Sequence, residues 1–224
     1  AYLLMGGETL TPQWLIDAAA LTTLRTPAVS VAGVFDLLRA SGSPLHVAIF
    51  GTGAQGLGHA ETIADVLDGV RDVTFTFISR REPDGFPYRW VQAGTPAADQ
   101  CVSESGLVVT ATSSPAPILD AEHLRGDAII LAVGAHTTDT RELSEDVLTS
   151  AQVVVEDLGA ARREAGDVAV GVEKHALEWD DVAVMADVVR GDVVLDPQRR
   201  VVFKTVGMPW EDLAVAQALV GRLS

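Results

Sequence analysis

Apolar residues along this chain gather into short runs, spaced by stretches long enough to hold a helix. Tyr2 to Met5, Leu45 to Phe50, Val73 to Ile78, Leu107 to Ala111, Ala128 to Val133, Val153 to Glu156 and Val201 to Thr205 are such runs. A run without polar alternation predicts a strand covered on both faces, and parallel neighbours need crossovers that can accommodate a helix. Helical spacing runs from Gly56 through His59, Ile63 and Leu67 to about Asp68, again over Ser144 to Ser150, and in a closing segment from Glu211 to Leu223. Near the start, Gly6-Gly7 predicts a turn and Pro12 to Leu24 a helix interrupted near Arg25. Thr26-Pro27 then restarts it, because threonine is a good N-cap and proline suits the first helical position. Val31, Val34, Leu37 and Leu38 keep helical spacing until Gly42-Ser43-Pro44 ends the element. Arg80 to Gln100, rich in charge, Pro and Gly, predicts a loop with a short helix around Tyr88 to Gln92. The alternation predicts the α/β class, with a doubly wound, mostly parallel sheet and helices on both faces.

Leu45 to Gly56 reads LHVAIFGTGAQG, a strand, a glycine-rich turn and the start of a helix. In that context the glycines have separate tasks. Gly51 permits the tight turn, Gly53 lets backbone approach a pyrophosphate, and Gly56 lets the helix pack close to the sheet. The helix that opens at Ala54-Gln55 offers unpaired N–H groups to the phosphates. The turn therefore predicts a Rossmann-type dinucleotide site. The next strand ends in Ser79-Arg80-Arg81, 23 residues past Gly56, at the position that faces the adenosine ribose. An acid there would bond the 2′-hydroxyl of NAD, whereas arginine accommodates the extra phosphate of NADP. The nearest acid, Glu82, follows two arginines and a hydroxyl, so NADP(H) is the expected cofactor and NAD(H) the alternative. Thr110-Ala111-Thr112-Ser113-Ser114 and Gly134-Ala135-His136 end two further strands on the same edge. The first offers hydroxyls to a ribose or phosphate, and His136, an imidazole at this edge, is a candidate proton donor.

Composition limits the partners. The 224 residues carry a formal net charge of −15, which opposes non-specific binding to nucleic acid or anionic membranes. No apolar stretch approaches the roughly 18 residues that span a bilayer, and Cys101 is the single cysteine, so no intrachain disulfide forms. A cytoplasmic address is the expectation, and no metal-ligand set is assigned.

ALTTLRTPAVS at Ala20 to Ser30, the GTGAQG turn, TATSS at Thr110 to Ser114, AVGAHTTDTREL at Ala132 to Leu143 and VVFKTVGMPWEDLAVAQA at Val201 to Ala218 occur in this order over essentially the whole chain. In that combination the sequence resembles the ornithine cyclodeaminase and mu-crystallin family, with its alanine dehydrogenases and ketimine or cyclic imino-acid reductases. The resemblance implies that Arg25 stands near substrate carboxylate and cofactor, and that Thr26, Gln55, Thr112 and Thr205 contact the cofactor. It implies a homodimer, with residues 1–30 and 206–224 as part of a substrate and dimerisation unit and 31–205 as the dinucleotide-binding domain. It also implies a lysine and a second arginine upstream of Ala1. Cyclodeaminases of the family carry an aspartate beside the Gly-Ala turn, where this chain has His136. The expected activity is thus NADP(H)-dependent reduction of the C=N bond of a small imino acid. An ornithine cyclodeaminase-type ammonia-lyase using bound NAD and a non-catalytic NADPH-binding protein of mu-crystallin type are the rivals.

Overall fold

In the computed structural model, which describes residues 1–223, strands β1 (Tyr2–Met5) and β2 (Pro12–Ile16) form an antiparallel ribbon, with Leu3 opposite Leu15. Pro12 to Ile16 is therefore strand, not the first part of a helix. Pairing across the Gly6–Thr11 turn gives its backbone partners that an isolated helical turn would lack. Helix α1 (Ala18–Ala32) begins after Asp17, whose carboxylate accepts the N–H groups of Ala19 and Ala20 at 2.8 and 3.2 Å. It runs unbroken through Arg25 and Pro27, so Thr26-Pro27 is not a restart. Proline in a helix interior forfeits one backbone bond. Here it lies where α1 crosses α3 (Ala54–Leu67) so closely that a Cβ on Gly58 would stand 2.9 Å from the Thr23 carbonyl oxygen and 3.1 Å from Pro27 Cγ. Close tertiary packing overrides the local preference.

After α2 (Phe35–Arg39), the chain enters an eight-stranded sheet made of β3 (Leu45–Phe50), β4 (Val73–Ser79), β5 (Arg89–Gln92), β6 (Leu107–Thr110), β7 (Ile129–Ala132), β8 (Ala151–Val155), β9 (Ala183–Val184) and β10 (Arg200–Lys204). Every pairing is parallel and the spatial order is β5-β4-β3-β6-β7-β10-β8-β9. The α/β, doubly wound architecture is as the sequence predicts. Two local expectations fail. Tyr88 to Gln92 is not a helix; Arg89–Gln92 is an edge strand, with Trp90 and Val91 registered against Phe77 and Ile78. Pro96–Glu104, whose residues up to Gln100 fall in the expected loop, is helix α4, with Thr95 preceding Pro96 at its first position. Between β8 and β10, helices α6 (Leu158–Glu164), α7 (Gly166–Glu173) and α8 (Met185–Arg190) and strand β9 were also not expected. The short helix α5 (Glu145–Thr149) and the closing helix α9 (Pro209–Gly221) were.

The sheet is covered on both faces. Along β3, Ala48 and Phe50 pack with Val102, Leu119 and Val168 on one side, while Val47 and Ile49 pack with Leu38, Ile63 and Leu67 on the other. Alternate residues of one strand thus serve two cores, which is why the run from Val47 to Phe50 is apolar throughout. Gly33, at the end of α1, packs on the Phe203 ring, with no room for a Cβ (2.6 Å).

Candidate functional site

Ligands of open parallel sheets bind beyond the C-terminal strand ends, where strand order reverses. Here β4 and β5 lie on one side of β3 and β6 returns to the other. A cleft of about 1180 Å³ opens at this switch point.

Gly51 leaves β3 at φ +107°, and a Cβ on it would stand 2.3 Å from the Ala111 carbonyl oxygen. A Cβ on Gly56 would stand 2.1 Å from the Gly51 carbonyl oxygen. Both glycines thus permit backbone to lie against backbone. Gly53 is the N-cap of α3, no side chain caps that helix, and the space where a Cβ would project from Gly53 is open to 4 Å. The first N–H groups of α3 are left for an anion. Gln55 adds a buried amide oxygen without a partner, while its Nε2 reaches the Thr22 carbonyl oxygen at 3.4 Å. An uncapped helix end, an open glycine and an orphan acceptor in one cleft fit a dinucleotide.

At the end of β4, Ser79 and Arg80 line the cleft. The Ser79 hydroxyl is already engaged: it donates to the Arg81 carbonyl oxygen at 2.7 Å and accepts from the Trp90 indole at 2.8 Å. It shapes the loop, and Arg80 is the exposed group available to a phosphate.

The ends of β6 and β7 are tied by Glu142. Its fully buried carboxylate accepts the Thr110 hydroxyl (2.9 Å), the Thr112 N–H and hydroxyl (both 2.7 Å) and the Gly134 N–H (2.7 Å). The Glu142 and Leu143 N–H groups in turn donate to Asp167, whose other oxygen lies 3.4 Å from Lys204 Nζ, both side chains being wholly buried. Thr110 and Thr112 therefore spend their hydroxyls on this link. His136 is exposed at the cleft, its Nδ1 3.0 Å from the Gly134 carbonyl oxygen.

Arg25 reaches the cleft from α1. Its Nη1 lies 3.3 Å from Glu211 and its Nε 3.2 Å from Asp212, both on α9, and the guanidinium lies over Gly207 (φ +90°), where a Cβ would be 2.5 Å away. Nearby, the buried Glu156 carboxylate accepts the Thr205 hydroxyl and the N–H groups of Val206 and Gly207 at 2.9 and 3.0 Å. Of the residues singled out in the sequence, Arg25, Thr26, Gly51, Gly53, Ala54, Gln55, Ser79, Arg80, Ala111, Thr112, His136 and Thr205 line one cleft. Gly56, Arg81 and Thr110 do not line it. Gly56 and Thr110 act from beneath, through the contacts above.

The model of the ornithine cyclodeaminase/mu-crystallin family matches residues 1–224. The chain belongs to the ornithine cyclodeaminase/mu-crystallin family. Within this family it is 30% identical over 213 residues to Delta(1)-pyrroline-2-carboxylate reductase 2 of Burkholderia ambifaria, covering 92% of this chain and 64% of that protein. It is 31% identical to a Delta(1)-pyrroline-2-carboxylate reductase of Bacillus cereus, covering 95% and 67%. An archaeal alanine dehydrogenase dimer with bound NAD superposes with a TM-score of 0.82 at 26% identity, covering 97% of this chain and 68% of that one. The chain thus spans roughly two thirds of the length of these family members.

Glu142, Glu156, Glu211 and Asp212 were not singled out in the sequence. Each lies in or beside a quoted segment, and Glu156 closes an otherwise apolar strand run. An acid at such a strand tip is the available signal. For Glu142 there is none, because its four donors come from two separate strand ends, those of β6 and β7.

Proposed function

We propose that the protein is an NADP(H)-dependent oxidoreductase that reduces the C=N bond of a small imino acid of the cyclic, pyrroline-carboxylate type. The observation that carries the reading is the convergence of the glycine turn, the ends of β6 and β7, Thr205 and Arg25 on one cleft. The reductase relatives at 30% and 31% identity support the same class of chemistry. Gly51, Gly53, Gln55 and the start of α3 would hold the pyrophosphate, Arg80 the 2′-phosphate, and Thr112, Thr205 and the Gly134 turn the nicotinamide end. The bound nicotinamide supplies the hydride. Arg25 orients the substrate carboxylate, for which a planar guanidinium suits bidentate pairing. His136, exposed in the cleft, is the proton donor this chain itself offers.

The ribbon β1–β2 and helix α9 present Leu3, Met5, Leu15, Trp210 and Leu213 to solvent. Two strands alone make a marginal unit. This supports residues 1–30 and 206–224 as part of a substrate and dimerisation unit, although α1 itself crosses residue 30 to pack on α3. A homodimer is the assembly proposed, and a cytoplasmic address is consistent with a half-buried Cys101 thiol whose pKa burial pushes up. No helix among the described residues is long and apolar enough to cross a membrane.

Arg25→Lys tests the reading. It keeps the charge but loses the planar fork, so kcat/KM for the imino acid should fall at least about 10²-fold, roughly 2.7 kcal/mol, with NADPH affinity little changed. A loss confined to NADPH affinity would move Arg25 to the cofactor, and unchanged values for both would remove it from the site.

A further inference from the structure

Arg25 is held by carboxyl groups, and their protonation decides what else it can hold. Two acids pair with it, Glu211 and Asp212 from α9, and Glu156 at the end of β8 lies beside Glu211. Asp212 is partly exposed and pairs with Nε. Glu156 has both oxygens filled by three donors, the Thr205 hydroxyl and two backbone N–H groups, which is the arrangement of an ionised carboxylate. Glu211 differs. Its side chain is buried, its Oε2 faces Arg25 Nη1, and its Oε1 has no well-formed partner, although the Met208 backbone and the Glu156 carboxyl lie beside it. Two adjacent buried carboxylates resist ionising together, and Glu211, offset by the 3.3 Å contact to Arg25 and the Met208 backbone against three donors on Glu156, is the one that takes the proton.

We propose that Glu211 is a positioning residue for the substrate: as a neutral acid it leaves the Arg25 charge available to a carboxylate in the cleft, and as an anion it draws Arg25 away. With Glu211 neutral, Asp212 is the one anionic partner paired with this guanidinium. With Glu211 ionised, a substrate carboxylate would be the third at a single cation. The groups facing Glu211 are Arg25 from α1, Glu156 from β8 and, on its own helix, Asp212. Burial and the neighbouring Glu156 push the Glu211 carboxyl up to about 8, with the Met208 backbone and Arg25 opposing. The switch therefore falls just above neutral pH. The inference rests on the reading of Arg25 as the carboxylate clamp, so the test must separate the two.

The experiment is a pH series from 6 to 10 on the full chain, measuring KM and kcat for a cyclic imino acid with saturating NADPH. Above pH 8 the unmodified protein should lose substrate affinity by about tenfold per pH unit, with kcat changing far less. Glu211→Gln should not show this rise, and comparing the two cancels the substrate's own ionisation. Glu156→Gln removes the neighbouring charge and should move the break to lower pH. A rise of equal size in Glu211→Gln, or no rise in the unmodified protein, overturns the proposal and leaves the reductase reading standing. If no imino acid is reduced at any pH, the reductase reading fails, and binding of L-proline to the NADPH-loaded protein decides the proposal instead. Proline affinity that weakens above pH 8 only while Glu211 is present supports it. A flat profile, or no binding at any pH, overturns it.

Discussion

The side of the cleft built by β3 and α3 is held by backbone, whereas the side built by the ends of β6, β7, β8 and β10 is held by buried carboxylates. On the first side, Gly51 and Gly56 bring main chain against main chain, with no ionised group among them. On the second, Glu142 and Glu156 together take up seven donors, which fix the loops that carry Thr112, Gly134, Thr205 and Gly207. Backbone packing has no pKa, but a buried acid does. The two sides should therefore respond differently to volume, to charge deletion and to pH.

Charge deletion should act most strongly on the carboxylate side. Glu142→Ala strands four donors in a dry site, and breaking such a link should destabilise the fold by roughly 3–5 kcal/mol in a urea titration. Glu142→Gln keeps one acceptor oxygen and should lose less than half as much. Equal losses for both would mean that the paired carboxylate oxygens are needed together, and that neither space nor a single acceptor matters.

On the glycine side the one buried titratable group is His59 of α3. Its Nδ1 is 2.7 Å from the Gln55 carbonyl oxygen, its Nε2 has no partner, and burial lowers its pKa to about 4. As pH falls, the unfolded chain takes up this proton near 6.5, well before the folded one does. Stability should drain between about pH 6.5 and 4, by on the order of 3 kcal/mol, and His59→Gln should flatten that part of the profile. An unchanged acid profile in the variant would place the titration elsewhere.

Volume should act on the same side with a smaller effect. Gly56→Ala puts a methyl 2.1 Å from the Gly51 carbonyl oxygen, with no rotamer to relieve it. We expect a loss of about 2–3 kcal/mol in stability, and NADPH binding weakened more than the fold is. Binding that survives intact would show that the turn can shift without harm.

These differences also explain what the sequence could reveal. The parallel sheet and the glycine turn were legible because they depend on local pattern: an apolar run such as Leu45 to Phe50 needs only its own residues to declare a doubly covered strand. Pro12 to Ile16 and Tyr88 to Gln92 misled because pairing with β1 and β4 decided their state, and Pro27 misled because packing against Gly58 outweighed a lost backbone bond. The cleft residues donated by β3, β4, β6, β7 and β10 could be placed from strand ends alone. The carboxylates beneath them could not, since Glu142 meets Thr110 across 32 residues and Arg25 meets Glu211 across 186.

The smallest expected effect concerns cofactor choice. Arg80 lines the cleft and Ser79 is engaged elsewhere, so Arg80→Asp should erase a preference for NADPH over NADH of at least about tenfold, roughly 1.4 kcal/mol. Equal affinities in the unmodified protein would make Arg80 surface charge only.

Net cofactor turnover tests the central claim most directly. The full chain is mixed with NADPH and a cyclic imino acid of the pyrroline-carboxylate type, while the reduced-nicotinamide absorbance and free ammonia are followed together. The account predicts absorbance lost in step with imino acid consumed, and no ammonia released. Ammonia released without net change in the cofactor when a diamino acid replaces the imino acid, or no reaction with any imino acid tried, would contradict it.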